Sequence, residues 1–412
     1  MPTKPIRICF PFTGDVVGGS HISVLGLVRN IDPARFTPVI VPQYPYGAIA
    51  RLFRDHNLVT ETPITWTELP YNTKVGLGIA AHLLTDVVRQ ARYLRAGGFD
   101  IVHSNDGRTH ATWALAARLA GAKLLWHQRG DPNAAGLRIA APLLANQVVA
   151  VSDFASPRPG LWSAARRTRV VHSPFATDLD VDRAQARAAL IEEIGCDPDT
   201  AFIGFFGAFT SRKRPHLFID ALAELAGRQL SRPVMGLMFG EGYDEGRAEA
   251  ELASHAHEAG VGDIVRQMGF RTPGPSWLAA CDILMVPAVG EPFGRTLIEA
   301  MLVGTTVVAT ASGGNIEALR EGAIGTLVPP ENAQALADAT ALLIDWPASA
   351  EALASAAAAD ARHRFGEALH ATQIMSVYED LLGMGARQAI DSSRPCARGI
   401  ARALLQERDM TP

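Results

Sequence analysis

Little in this sequence belongs to the chemistry of metals or disulfides. Only four cysteines occur in 412 residues. They are Cys9, Cys196, Cys281 and Cys396, none of them in CxxC or CxxxC spacing, and they read as reduced thiols of a cytosolic protein. A basic excess is missing as well: 38 Lys and Arg stand against 42 Asp and Glu, a formal net charge of -4. That removes the usual electrostatic reason to expect nucleic acid, so an anionic ligand would have to be met by local groups. No run reaches the ~18 uninterrupted apolar residues of a membrane span. The longest candidate, KVGLGIAAHLLTDVVRQARYL, is broken by His82, Asp86 and Arg89 and reads as an amphipathic helix with a basic C-terminal end. The start, MPTKPIRICFPF, enters a strand with too short an apolar run for a signal peptide. Internal repeats, low-complexity runs and a GxGxxG fingerprint are also lacking.

What is present is a soluble globular composition, 48% hydrophobic and 19% charged, in a chain long enough for two domains. Short apolar strands alternate with helical patterns: IRICFPF, TPVIVP, DIVHS, AKLLWH, QVVAVS and RVVHSPF in a first series. A second series runs AFIGFFG, PVMGLMFG, DIVRQMGF, DILMVPA, TTVVAT and GTLVPP. Repeated β-α units predict parallel, doubly wound sheets with right-handed crossovers, so the fold class is α/β. The polar, turn-rich stretch near Ser173 to Asp180 marks a boundary, giving units 1–175 and 176–385. Two Rossmann-like sheets would then face each other across a cleft, the usual place for a small-molecule site. Asn332 to Leu382 is Ala-rich and helical, and 386–412 reads as a tail.

Three places suit an anion. FTGDVVGGSH follows the first strand with Gly14, Gly18 and Gly19 ahead of a helix, which lets backbone N–H groups approach a ligand. A glycine turn there serves structural ends equally well. No acidic residue follows the second strand to hold a ribose, which weighs against a dinucleotide cofactor. GAFTSRKRP, from Gly207 to Pro215, gathers Arg212, Lys213 and Arg214 at a helix start, where helix electrostatics disfavours cations unless an anion sits among them. In VGEPFGRTLIEAMLVG, a helix opens at Gly294 between two buried strands, and Gly294, Arg295, Thr296 and Leu297 supply free N–H groups. Glu291 precedes that start and Glu299 lies in its second turn. Ionised carboxylates accept hydrogen bonds from hydroxyls, so a diphosphate over the helix start would have a sugar on one side and a ribose on the other.

These residues resemble the retaining, GT-B fold nucleotide-sugar glycosyltransferases of glycosyltransferase family four. EPFGRTLIEAM matches the E-x7-E signature of that family, supported by the GGS turn, HSNDGRTHATWALAARLAG, FGEGYD and VRQMGF, and the likeness covers nearly the whole chain. It implies that Glu299 binds the donor ribose, Glu291 the hydroxyls of the transferred sugar, and Lys213 the diphosphate. The arginine usual after the preceding glycine is replaced by Ala208, and Arg212 is the substitute. Gly18 and Gly19 would face the diphosphate and Arg271 the base, with Gly207, Gly240, Phe293, Gly294, Arg295, Thr296 and Leu297 completing the donor site. His127 in LLWHQRG matches a strand-end histidine that approaches the donor sugar, although such histidines are also often structural.

The resemblance further implies transfer from a nucleoside diphosphate sugar to an acceptor hydroxyl, with retention by same-face displacement and with charge on the leaving group stabilised by Lys213, Arg212 and the helix start. No cofactor is expected. No metal is either, because DLDVD, Asp178 to Asp182, falls in the linker. The acceptor would be a glycan or lipid-linked hydroxyl in polysaccharide, lipopolysaccharide or glycolipid synthesis, met by loops around Tyr44, Tyr46 and Trp66 to Tyr71. A cytoplasmic location, with peripheral membrane contact left open, fits this reading. A non-catalytic nucleotide-sugar binding subunit would keep the glutamates but lose the leaving-group cations. A nucleotide-sugar epimerase or oxidoreductase would need the missing dinucleotide fingerprint.

Overall fold

The computed structural model describes residues 4–62, 64–67 and 77–384. The 386–412 tail with Cys396, and positions 68–71 of the expected acceptor loop, lie outside the described residues. The first sheet holds β1 (Ile6–Phe12), β2 (Phe36–Pro42), β3 (Ile101–Ser104), β4 (Lys123–Gln128), β5 (Gln147–Ala150) and β6 (Thr168–Val170) in the order β2-β1-β3-β4-β5-β6. The second holds β7 (Ala201–Phe206), β8 (Val234–Phe239), β9 (Val265–Gly269), β10 (Ile283–Val286), β11 (Thr306–Thr310) and β12 (Thr326–Val328) in the order β12-β11-β10-β7-β8-β9. Neighbouring strands are parallel throughout. Helices cover both faces, which is why the central strands are apolar along their whole length. Each run expected as a strand overlaps one of these elements, least so RVVHSPF, which shares only Arg169 and Val170 with β6.

The link between the sheets carries a helix, Arg183–Ile194, capped by Asp182, whose side chain accepts from the Gln185 N–H. A cap of this kind contributes ~1 kcal/mol. Thus one aspartate of DLDVD has a structural task. Arg183 pins the helix to the second sheet by donating to Val303 O at 2.9 Å and Thr305 Oγ1 at 2.8 Å.

The last described helix, Glu367–Leu381, was counted by sequence with the second unit, yet its apolar face packs on the first. Ile374 and Val377 are fully buried there among Ile8, Phe10 and Phe36, each contributing on the order of 1.5 to 3 kcal/mol. The chain crosses back where the Phe175 N–H donates to Phe365 O at 2.8 Å. A second tie between the units is the Ser152 hydroxyl, which donates to Pro292 O at 2.5 Å.

Candidate active site

Strand order reverses between β1 and β3 in one sheet and between β7 and β10 in the other. At such a reversal the following loops diverge in opposite directions and leave a crevice beyond the strand ends. Here the two crevices merge into one cavity of ≈ 700 Å³. Its wall includes Gly19 after β1, Asn105 after β3, Arg129 after β4, Lys213 after β7 and Glu291 after β10.

Lys213 and Arg212 converge on Glu291. Lys213 Nζ lies 2.9 Å from Oε2 and Arg212 Nη1 lies 3.4 Å from Oε1, while Arg214 turns away to Glu331. The Val289 N–H donates to Arg212 O at 2.9 Å, which fixes the two loops to each other. The Glu291 loop is also held from below: its carbonyl accepts from the Gly314 N–H at 2.7 Å, and the Gly290 N–H donates to Ser312 Oγ at 3.0 Å. Thus the GG pair after β11 supports the loop after β10.

The helix Arg295–Leu302 begins at Gly294 and stops before Gly304, whose φ of 74° closes it as a C′ residue. Leu297, Ile298 and Met301 point into the core and are fully buried. For Leu297, therefore, only the backbone is available to a ligand. Glu299 lies on the other face, 3.4 Å from Arg295 Nη2. Burial pushes its carboxyl up from the ordinary value, and Arg295 offsets part of that rise. Arg295 reaches across to the first unit, donating to Ser23 Oγ at 3.2 Å and Pro174 O at 3.3 Å over the Phe175 ring. A Cβ on Gly19 would meet Arg295 Cδ at 2.7 Å, so a side chain there would push Arg295 off its present course. Among the described residues Arg295 alone lines both the main cavity, with Glu291, and a smaller one of ≈ 230 Å³ that holds Glu299.

His127 is fully buried behind the cavity and does not form its wall. Its Nδ1 faces His103 Nε2 at 3.0 Å and Arg129 Nη2 at 3.3 Å. Arginine only donates, so Nδ1 accepts and the proton of a neutral His127 is on Nε2. His103 then donates through Nε2 and accepts the Tyr378 hydroxyl at Nδ1, 2.6 Å away. Burial drives both imidazoles well below their ordinary pKa, with Arg129 adding to the effect. His110, stacked on Trp126 at 3.8 Å, is pushed down to about 3, as is His370.

Arg129 is the residue that sequence reasoning missed, although it stands two places after His127 in WHQRG. Its guanidinium also donates to Asn105 Oδ1 at 3.2 and 3.3 Å and to Ser173 Oγ at 3.2 Å. None of these partners is a carboxylate. Burial, then Arg295, lowers its pKa to about 9, which leaves it charged at neutral pH. No motif signals a cation held by neutral groups on or beyond three different strands.

The remaining expected residues divide. Gly18 and Gly19 cap and start the helix Gly19–Arg29, with the Gly18 N–H donating to His21 Nδ1. Phe293 lines the cavity, stacked on His172 at 5.1 Å, and Thr296 lies beside it. Gly240 sits against Gly207 so closely that a Cβ would come within 2.0 Å of Gly207 O. Arg271 is not part of the cavity wall; it pairs with Glu193 at 2.6 Å and lies over Trp277. Trp66 turns inward against Trp113, whereas Tyr46 is exposed. Among the described residues no cluster of His, Cys, Asp and Glu has the disposition of a metal site, and no helix is long and apolar enough to cross a membrane.

The family profile described as Glycosyl transferases group 1 matches residues 187–360. A D-inositol 3-phosphate glycosyltransferase of Catenulispora acidiphila is 34% identical over 359 residues, 82% of this chain and 84% of that protein. The lipopolysaccharide core biosynthesis mannosyltransferase LpsB of Rhizobium meliloti is 32% identical over 211 residues, 49% of this chain and 56% of that protein. Among solved structures, Anabaena HepE in complex with UDP and glucose superposes with a TM-score of 0.76 at 25% identity, covering 91% of this chain and 100% of that one.

Proposed function

Because the chain belongs to the glycosyl transferases group 1 family and has its GT-B architecture, we propose that it is a retaining, family-four type enzyme that moves a sugar from a nucleoside diphosphate sugar to an acceptor hydroxyl. The observation that carries this reading is the convergence of Lys213, Arg212 and the helix start at Gly294 around Glu291, inside the cavity between the two sheets. A departing diphosphate gains negative charge at its bridging oxygen. Cations and N–H groups fixed beforehand stabilise that charge without reorganising.

In this reading residues 176–385 bind the donor and residues 1–175 the acceptor. Glu291 accepts from hydroxyls of the transferred sugar and Glu299 from the ribose, which requires Arg295 to leave the position between them. The acceptor attacks the face the leaving group departs from, and the diphosphate takes its proton. Lys213 and Arg212 do the work a divalent ion would otherwise do, so transfer proceeds without metal. His127 acts through Arg129 rather than on the sugar. UDP sugars are the first donors to test, since HepE binds UDP-glucose. Glycan, lipopolysaccharide or lipid-linked acceptors on the cytoplasmic side suit the LpsB likeness, and a phosphorylated cyclitol suits the inositol phosphate relatives.

A thermal-shift panel of UDP-, GDP- and ADP-sugars tests the donor assignment. A true donor at a hundred times its Kd stabilises by ~2.7 kcal/mol. If none of them stabilises the protein, the reading fails.

A further inference from the structure

Beside the cleft, the loop of residues 156–163, SPRPGLWS, carries Leu161 and Trp162 side by side in solvent, at 110% and 63% exposure. Pro157 and Pro159 stiffen its approach, and around Gly160 no atom comes within 4 Å of where a Cβ would stand. The tip therefore projects. A groove joins Trp162 to Ile139, another large apolar side chain left exposed, and to the two guanidinium-bearing residues Arg138 and Arg158. On the far side of the tip, Leu161 borders Arg166 and Arg167.

The charge around this tip departs from that of the chain. Residues 132–177 contain five arginines, at 138, 158, 166, 167 and 169, and a single acidic residue, Asp153. Arg169 is taken by Asp380, whereas Arg138, Arg158 and Arg166 have no ion-pair partner among the described residues. A chain with a net charge of -4 thus presents a local cationic surface around projecting apolar side chains.

We propose that this tip is a membrane-docking surface for a bilayer bearing anionic headgroups, with Leu161 and Trp162 entering the interface and Arg138, Arg158 and Arg166 meeting lipid phosphates. Tryptophan with a leucine suits the boundary between headgroups and acyl chains, and each arginine near an anionic surface adds attraction. A projecting apolar tip ringed by cations suits a deformable bilayer interface, which can close around it. Leu137 lines both the groove and the cleft, so docking here holds the cleft mouth next to the lipid surface. This inference does not depend on which donor is used.

The test is co-sedimentation of the full chain with vesicles of phosphatidylcholine alone and of phosphatidylcholine mixed with phosphatidylglycerol. The wild type is expected to bind the mixed vesicles, to bind less as salt rises, and to leave neutral vesicles unbound. The L161E/W162E and R158E/R166E variants should each lose affinity by about tenfold or more, with unchanged circular dichroism because all four side chains are exposed. Absence of wild-type binding overturns the proposal. So does undiminished binding by both variants, which would move membrane contact elsewhere in the chain. A dimer in size-exclusion chromatography that L161E/W162E dissociates, without vesicle binding, would make a second copy the occupant instead.

Discussion

Lys213 Nζ lies 2.9 Å from Glu291 Oε2 although the two residues follow different strands, β7 and β10, at the reversal of the second sheet. The approach fixes the cation in the part of the cavity wall that the second sheet supplies and compensates its charge before any ligand arrives. Replacing Lys213 by Ala should therefore lower kcat by roughly a hundredfold to a thousandfold, the ~2.7 to 4 kcal/mol carried by one fixed donor to a developing oxyanion. Preference among donor sugars should persist. Steady-state kinetics with wild-type turnover in this variant would remove Lys213 from the leaving-group role.

The two glutamates should separate in binding. Glu299→Gln is expected to weaken a bare nucleoside diphosphate roughly tenfold to a hundredfold, because a charge-assisted hydrogen bond contributes ~1.5 to 3 kcal/mol. Glu291→Gln should leave that affinity equal or slightly tighter, since Lys213 and Arg212 lose their competing partner, while transfer falls. Calorimetric titration reads both variants. Equal losses in the two would end the division of sugar from ribose.

Arg129 is half-buried in the cavity wall and charged without a carboxylate partner, and its partial desolvation costs stability that a neutral residue would recover. Arg129→Gln should accordingly keep or raise the thermal midpoint while turnover falls by about tenfold or more, as expected for a group whose charge faces an anionic ligand. A lowered midpoint with unchanged turnover would make Arg129 purely structural.

Acid should destabilise the fold through its buried imidazoles. His110 and His370 have folded values of about 3, well below the unfolded ~6.5, so the native state binds fewer protons between those limits. Their contribution is complete above pH ~6.5 and is lost as pH falls toward the folded values, at up to ~1.4 kcal/mol per pH unit for each histidine. Urea midpoints measured between about pH 7 and about pH 4.5 should decline, and His370→Gln should flatten the decline. A flat wild-type profile contradicts the neutral assignment.

Chelation should leave transfer intact if, as proposed, Lys213, Arg212 and the helix start at Gly294 stabilise the charge of the leaving group. Activity abolished by EDTA and restored by magnesium or manganese would mean that these cations do not suffice.

The strands were legible because a strand buried on both faces must be apolar along its length, and runs such as DILMVPA and TTVVAT are short, apolar throughout and bounded by turn or helix signals. Glu291, Lys213 and the helix start at Gly294 were legible too, since a carboxylate, a cation cluster and free N–H groups at strand ends are local patterns. The sequence by itself thus determined the two α/β sheets and which charged residues stand beyond β7 and β10. Tertiary structure alone decided which of those ends meet. Arg129 gains its importance from Asn105, Ser173 and His127, residues up to 44 positions away. Arg295 stands between the cavities of Glu291 and Glu299 because Gly19 and Phe175 of the other unit give its side chain a place to lie. Helix Glu367–Leu381 returned to the first sheet because Ile374, Val377 and Tyr378 found an uncovered apolar face there, and helical periodicity reports only that such a face is needed, never which sheet supplies it.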